Sequence, residues 1–304
     1  MKIVIIGAGA MGSLFGALLA ESGEDVLLYD IWEEHVKAIN EKGLGIELNG
    51  KTRWVSVNAT TDKKQIGKTD LAIIFVKSNQ TGNAARIASE LVGNYGFVLT
   101  LQNGMGNANI IGEVIDHGRI IAGTTSHGAT MLGPGSIRHA GTGQTLIGMW
   151  SGIQKTGIQK IADTFNKAGI VTETVDDVRS VIWSKLLVNV GINAITSLTG
   201  IKNGRILDLS VTKELSRAAV KEAIEVAKAQ GVKVADNTVE HVFQVAEATS
   251  ANRSSMGQDV DNKRQTEISA INGAVVEEAQ KLGINVPVNQ TLTALIETLQ
   301  AHYE

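Results

Sequence analysis

Near its N-terminus the chain reads Lys2-Ile-Val-Ile-Ile6, then Gly7-Ala-Gly-Ala-Met-Gly12, then a helical stretch, then Asp25-Val-Leu-Leu-Tyr29 closed by Asp30. A Gly-x-Gly-x-x-Gly pattern means little alone. Set between a strand and a helix, with an acidic residue about 20 positions on, it has the context of a dinucleotide-binding turn. Gly7 permits the tight turn, Gly9 lets a pyrophosphate approach the backbone, and Gly12 lets the helix pack close to the sheet. The N–H groups of the segment Gly7, Ala8, Gly9, Ala10, Met11 and Gly12 at the helix start are then candidate anion contacts. The plain alternative is a glycine-rich turn without a ligand. Either way the pattern commits this region to a βαβ unit, and so to a parallel sheet.

The same stretch carries a competing signal. Ile3 to Ala20 contains no charged residue and follows Met1-Lys2, as a signal peptide or membrane span would. Gly7, Gly9, Gly12 and Gly16 interrupt it and a strand-like run follows at βαβ distance, so the patterning favours a folded core segment. With 304 residues, 43% hydrophobic and 19% charged, the chain is long enough for two globular domains. A net charge of -3 supplies no basic field for nucleic acid or an anionic membrane, and neither is expected as a partner. The absence of cysteine excludes disulfides, a thiolate nucleophile and Cys-ligated metal, and fits the cytoplasm. The six histidines show no metal-ligand spacing, so no metal is expected.

Up to about residue 175, β-rich runs alternate with helical stretches. Strands are expected at Lys2–Ile6, Asp25–Tyr29, Leu71–Val76, Gly96–Leu101, Ile120–Ser126 and Thr145–Gly148. A hairpin is expected over Gly45–Leu48 and Trp54–Ala59, turning at Asn49-Gly50. Helices fit Ser13–Ser22, Trp32–Lys42, Thr81–Val92 and Ile153–Ala168. From about Asp176 the strands vanish, and Val178–Thr199, Leu209–Gln230, Thr238–Thr249 and Glu267–Leu282 show helical periodicity, the last stopped by Gly283. The expected fold is α/β: a doubly wound Rossmann-type sheet domain over residues 1–175, then an all-α domain over 176–304.

Asp30 bears on the choice of dinucleotide. A carboxylate ending the second strand accepts hydrogen bonds from the adenosine ribose and repels a 2′-phosphate. Ile31, Trp32, Glu33 and Glu34 bring no cation to pair with that phosphate, so NADH is expected over NADPH; an aspartate at a helix N-cap is the plainer reading. Two loops follow strand ends where the ligand crevice of such a sheet lies. One carries Lys77, the other is Gln102-Asn-Gly-Met-Gly106 with Asn103.

The second domain supplies the chemistry. Lys185, Asn189 and Asn193 are spaced four apart on a helix whose other residues, Ile182, Trp183, Leu186, Leu187, Val188, Val190 and Ile192, are mostly core material. Residues at that spacing share a face and rise ~6 Å per step. A cation and two amides on so apolar a helix cost desolvation unless something polar faces them. A lysine whose pKa is lowered toward neutrality could donate a proton to a ketone, with the asparagines holding the substrate. Alternatively Lys185 pairs with an acid and the asparagines cap neighbouring segments. Ala251-Asn-Arg-Ser-Ser255 and Gln265-Thr-Glu-Ile268 are further polar candidates. Ser255 with Gln258 also fits a capping box, and Glu267 in a first helical turn is favoured by the helix dipole without any function.

Taken together, these residues resemble the ketopantoate reductase family (2-dehydropantoate 2-reductase) essentially end to end. The matching pieces are the Gly7–Gly12 turn, Lys77, Asn103 in Gln-Asn-Gly-Met-Gly, Gly123-Thr-Thr-Ser-His127, the Trp183/Lys185/Asn189/Asn193 stripe, Asn203-Gly204, Ser254-Ser255-Met256 and Thr266-Glu267-Ile268. The resemblance implies reduction of the C2 ketone of ketopantoate to D-pantoate, a step toward pantothenate and coenzyme A, with Lys185 as general acid. It implies that Asn103, Asn189, Asn193, Asn203, Asn252 and Ser255 line the substrate, Ser255 near its carboxylate. It also implies that Lys77, Asn103 and Ala129 touch the cofactor and that Glu267 contacts the nicotinamide-side ribose and supports catalysis. Typical members use NADPH and carry a basic residue after the second strand, where this chain has Asp30-Ile31. That departure keeps a second enzyme open, an NAD-dependent D-2-hydroxyacid (D-mandelate-type) dehydrogenase. A non-catalytic dinucleotide sensor is the reading from another class, and would need neither Lys185 nor Glu267. The small-molecule partner is a 2-oxoacid in either enzyme, and the apolar helices of the second domain are compatible with a homodimer.

Overall fold

The computed structural model describes residues 1–151, 153 and 156–303. Its chain packs into two compact units, Met1–Gln102 with Asn107–Val178, and Arg179–Glu304 with the short segment Asn103–Gly106. The strands among the described residues are β1 (Lys2–Ile6), β2 (Asp25–Tyr29), β3 (Leu44–Leu48), β4 (Lys51–Val55), β5 (Asn58–Thr60), β6 (Leu71–Ile74), β7 (Phe97–Thr100), β8 (Ile120–Thr125), β9 (Gly128–Gly133), β10 (Ser136–Gly141), β11 (Thr145–Met149) and β12 (Thr172–Thr174). The helices are α1 (Ala10–Glu21), α2 (Glu33–Lys42), α3 (Thr81–Leu91), α4 (Asn107–Gly112), α5 (Thr156–Lys167), α6 (Val178–Thr199), α7 (Ser210–Ala229), α8 (Thr238–Ala248), α9 (Ser255–Asp261), α10 (Asn272–Leu282) and α11 (Pro287–Gln300). The expected helix start at Ile153 includes residues 154 and 155, which lie outside the described residues.

The main sheet of the first unit has the order β12-β11-β8-β7-β6-β1-β2-β5. From β5 to β8 every neighbouring pair is parallel; β11 runs antiparallel to β8 and β12 parallel to β11. The central strands Ile3–Ile6 and Leu71–Ile74 are buried on both faces, as a sheet covered by helices requires. Chain order reverses beside β1, which pairs with both β2 and β6. That reversal is the switch point where open α/β sheets bind ligands, and the glycine turn leaves β1 there.

A second sheet, β4-β3-β10-β9, completes this unit. Its β3–β4 hairpin turns on Asn49-Gly50 with both residues at positive φ (52° and 74°), the conformation of a two-residue type I′ turn. The β9–β10 hairpin escaped sequence pattern because Gly128, Gly133 and Gly141 dilute the β-branched signal. Its Pro134-Gly135 turn was the available sign. The second arm of the expected hairpin, Trp54–Ala59, splits into β4 and β5, which belong to different sheets.

The apolar stretch Ile3–Ala20 is β1 and most of α1, with Leu14, Phe15 and Leu19 fully buried, so it is core. The second unit is helical throughout. Helix α6 is long and apolar enough to cross a membrane, yet most of its apolar window is buried in the protein. Trp183, Leu186, Leu187, Val190 and Ile195 of α6 pack with Val220, Val242 and Ile296 in the core of this unit. Truncating one such Leu or Ile to Ala costs about 2–5 kcal/mol. Helix α10 stops at Gly283, at φ 70°, as expected. Helix α9 starts one residue from the helix start that the Ser255/Gln258 pattern marks, and helix α11, which begins with a proline at its first turn, has no counterpart among the expected elements.

Candidate active site

In the first unit the glycine turn is built largely from backbone. Gly7 has φ 96°, and a Cβ there would lie 2.7 Å from the Val76 nitrogen; a Cβ on Gly12 would lie 1.9 Å from the Gly7 carbonyl oxygen. Both are glycine because the backbone approaches too closely for any other residue. A Cβ on Gly9 meets no atom of the described residues within 4 Å, so that glycine is not demanded by their packing. The first helical bond of α1 runs from Ser13 N–H to the Gly9 carbonyl at 2.8 Å. The N–H groups of Ala10, Met11 and Gly12 therefore have no carbonyl one turn back to bond. A pyrophosphate fits this open, donor-lined turn.

Asp30 is not a helix N-cap: α2 begins at Glu33 after Trp32. Its carboxylate accepts the Ala8 N–H at 2.7 Å and the Trp32 N–H at 3.0 Å, tying the end of β2 to the glycine turn. Each oxygen keeps further lone pairs for a ribose hydroxyl. The two loops on this edge are joined by Gln102, whose Nε2 donates to the Val76 carbonyl (2.8 Å) and the Thr81 hydroxyl (2.9 Å). Lys77 follows β6 and its side chain is exposed; Ala129 lies half-buried in β9, opposite His139.

The second unit gathers three residues far apart in sequence. Lys185 Nζ on α6 donates to Asn103 Oδ1 at 2.9 Å, and Asn103 Nδ2 donates to Glu267 Oε2 at 3.3 Å. Asn103 reaches them because its segment docks on the turn before α10. The Met105 N–H donates to the Ala270 carbonyl at 2.8 Å, and a Cβ on Gly104 (φ 84°) would lie 2.3 Å from that same oxygen. Glu267 is buried and precedes a short 3₁₀ turn over Ile268–Ala270, so it does not lie in the first turn of a long helix as expected. Burial lowers the Lys185 pKa from its usual 10.5 to about 8, against the opposing charge of Glu267. At neutral pH the ammonium is still mostly protonated and holds a readily released proton, the condition for a general acid.

The remaining expected residues fall around α6. Asn189 is half-buried, and Asn193 is buried with its Nδ2 unpaired among the described residues. The Asn203 N–H donates to the Asn252 carbonyl at 3.0 Å, while Asn203 Oδ1 is buried without a partner among the described residues. Arg253 pins this loop to the end of α6 by donating to the Thr196 and Ile201 carbonyls, and itself pairs with Asp261 at 2.8 Å. The cap of α9 is Ser254, not Ser255: the Ser254 hydroxyl accepts the Gly257 N–H at 3.0 Å. Gln258 donates to the Arg253 carbonyl, so the expected capping box is absent and Ser255 is left exposed at the helix start. Among the described residues no cluster of His, Cys, Asp or Glu could hold a metal.

A Rossmann-type dinucleotide fold followed by a helical unit that holds a lysine of lowered pKa is the layout of a nicotinamide-dependent oxidoreductase. The family model described as ketopantoate reductase PanE/ApbA matches residues 3–152, and that of the C-terminal region matches residues 177–300. A 2-dehydropantoate 2-reductase of Halobacterium salinarum is 38% identical over 99% of both chains. The solved ketopantoate reductase of Ralstonia eutropha JMP134 superposes with a TM-score of 0.91 at 33% identity over 99% of each chain. A ternary structure of D-mandelate dehydrogenase with NADH and anilino(oxo)acetate gives 0.92 at 30% identity, again over 99% of each chain. The chain belongs to the ketopantoate reductase family.

Proposed function

We propose that this protein reduces the C2 ketone of 2-dehydropantoate to D-pantoate with NADH. The observation that carries the reading is the Lys185–Asn103–Glu267 chain, a proton donor held by an amide that is itself held by a buried carboxylate. When bound, the reduced nicotinamide supplies a hydride to the carbonyl carbon. Lys185 Nζ gives its proton to the carbonyl oxygen, and the neutral amine regains one from solvent. Asn103 orients the ammonium, and Glu267 favours its charged form. Asn189, Asn193, Asn203, Asn252 and Ser255 are assigned to the substrate, Ser255 to its carboxylate. Gly7 to Gly12, Asp30, Lys77, Asn103, Ala129 and Glu267 are assigned to the dinucleotide. Full-length relatives named 2-dehydropantoate 2-reductase support the substrate. Asp30, with no cation in the four residues after it, supports NADH. The lack of cysteine supports a cytoplasmic location.

The likeness to D-mandelate dehydrogenase favours a second reading, an NAD-dependent D-2-hydroxyacid dehydrogenase using the same residues on a different side chain. Comparing kcat/KM for ketopantoate with those for benzoylformate and 2-ketoisocaproate separates them; ketopantoate is expected to lead, and a lead by either competitor overturns the substrate assignment. On the cofactor, NADH is expected to be preferred. A preference for NADPH of tenfold, about 1.4 kcal/mol, would refute the role given to Asp30.

A further inference from the structure

A buried imidazole lies behind the glycine turn. His35 on α2 is fully buried, on the face it shares with Val36 and Ile39. Its Nδ1 lies 2.9 Å from the Gly135 nitrogen, whose N–H can only donate, so Nδ1 carries no proton. The neutral ring must then bear its proton on Nε2, which lies 3.2 Å from the Ser13 hydroxyl. Ser13 accepts there and donates onward to the Ala8 carbonyl at 2.7 Å. The Gly135 N–H fixes the tautomer, and the Nε2 proton is directed to the Ser13 hydroxyl and the Ala8 carbonyl that Ser13 also binds. Trp32 stacks on the ring at 5.2 Å and 12°, and Gly135 presses so closely on α2 that a Cβ would lie 2.8 Å from the Ala38 Cβ. Burial also holds the His35 pKa below its ordinary 6.5, with the Asp30 charge and the Ala8 carbonyl opposing, so the ring is neutral at physiological pH.

The consequence falls on the fingerprint. In a planar trans peptide the carbonyl and the following N–H point in opposite directions. Drawing the Ala8 carbonyl toward Ser13 therefore turns the Gly9 N–H away from it, while Asp30 holds the Ala8 N–H from the other side at 2.7 Å. We infer that His35, acting through Ser13, is a positioning residue for dinucleotide binding: it sets the plane of the Ala8–Gly9 peptide and so the aim of the Gly9 N–H at the pyrophosphate. This rests on the proposed nicotinamide-dependent function.

The test is the Kd for NADH, read from the fluorescence of the bound nicotinamide, in the full chain and in Ser13→Ala, His35→Leu, the double variant and His35→Gln. Each single loss is expected to raise Kd about tenfold, the upper end for one hydrogen bond, with kcat at saturating NADH within about twofold of wild type. The double variant should bind as weakly as either single one, because both break the same chain. His35→Gln, whose amide nitrogen reaches the position of Nε2, should recover most of the affinity. Thermal melts separate folding from aim; if His35→Leu does not fold, Ser13→Ala alone decides. Folded variants with wild-type Kd would overturn the inference and leave the proposed function standing. A wild-type protein that binds neither NADH nor NADPH would overturn both.

Discussion

The two candidate regions are built in opposite ways. The glycine turn is one continuous segment whose working atoms are backbone N–H groups, and its side chains serve mainly by being absent. The Lys185 site is made of side-chain atoms from residues 82 and 164 positions apart in the chain, and its character comes from burial. A backbone site is specified by steric exclusion at a few positions, as the 1.9 Å approach at Gly12 shows. A side-chain site depends on what surrounds it, as the lowered pKa of Lys185 shows. The lesson is that anion binding at the turn and proton transfer from Lys185 should be separable by mutation, although Asn103 and Glu267 are assigned to both functions.

The sharpest way to break that separation is Lys185→Ala. It should lower kcat by ~10²-fold or more and leave the Kd for NADH within a few-fold of wild type. Near-normal turnover would remove Lys185 as the acid, and a parallel loss of NADH affinity would merge the two regions. Gly9→Ala probes the other side. A Cβ there meets no atom of the described residues, and φ is -59°, so the melting temperature should hold or rise slightly. The Kd for NADH should rise about tenfold or more from steric intrusion into the anion turn; unchanged affinity would mean that the pyrophosphate does not approach this glycine. A finer test uses pH. Reduction needs Lys185 protonated, so kcat/KM should be full below its pKa and fall as pH rises through about 8. Glu267 raises that pKa, and Glu267→Gln should move the fall to lower pH by about one unit. A shift upward, or none, would show that the carboxylate does not act on the ammonium.

The same contrast governs what could be read from the residues alone. The β1–turn–α1 unit is legible because a strand, three glycines and a helix lie in one window, and α6 shows its full Val178–Thr199 span through unbroken periodicity. Lys185 stands out as a polar group on that apolar helix. Its partners do not, because nothing in Gln102–Gly106 announces that Asn103 packs with the helical unit and not with the sheet that precedes it. Ser255 with Gln258 fits a capping box as the plain alternative, yet Ser254 makes the cap, since two adjacent serines fit the same pattern and only the backbone angle chooses between them. His35 carries no mark of its own within the expected helix Trp32–Lys42; a histidine among Val36 and Ile39, on the face the structure buries, is the sign available.

Sequence alone determined the parts whose physics is local: the glycine turn, the acidic end of β2, the periodicity of the helices and the stripe bearing Lys185. The tertiary structure decided which of those groups meet and in what protonation state. It brought Asn103 and Glu267 to Lys185, tied Asp30 to the Ala8 N–H, and sealed His35 behind the turn. The reason is that conformational preference acts over a few bonds, whereas desolvation and hydrogen-bond pairing depend on whatever the fold places within a few ångströms.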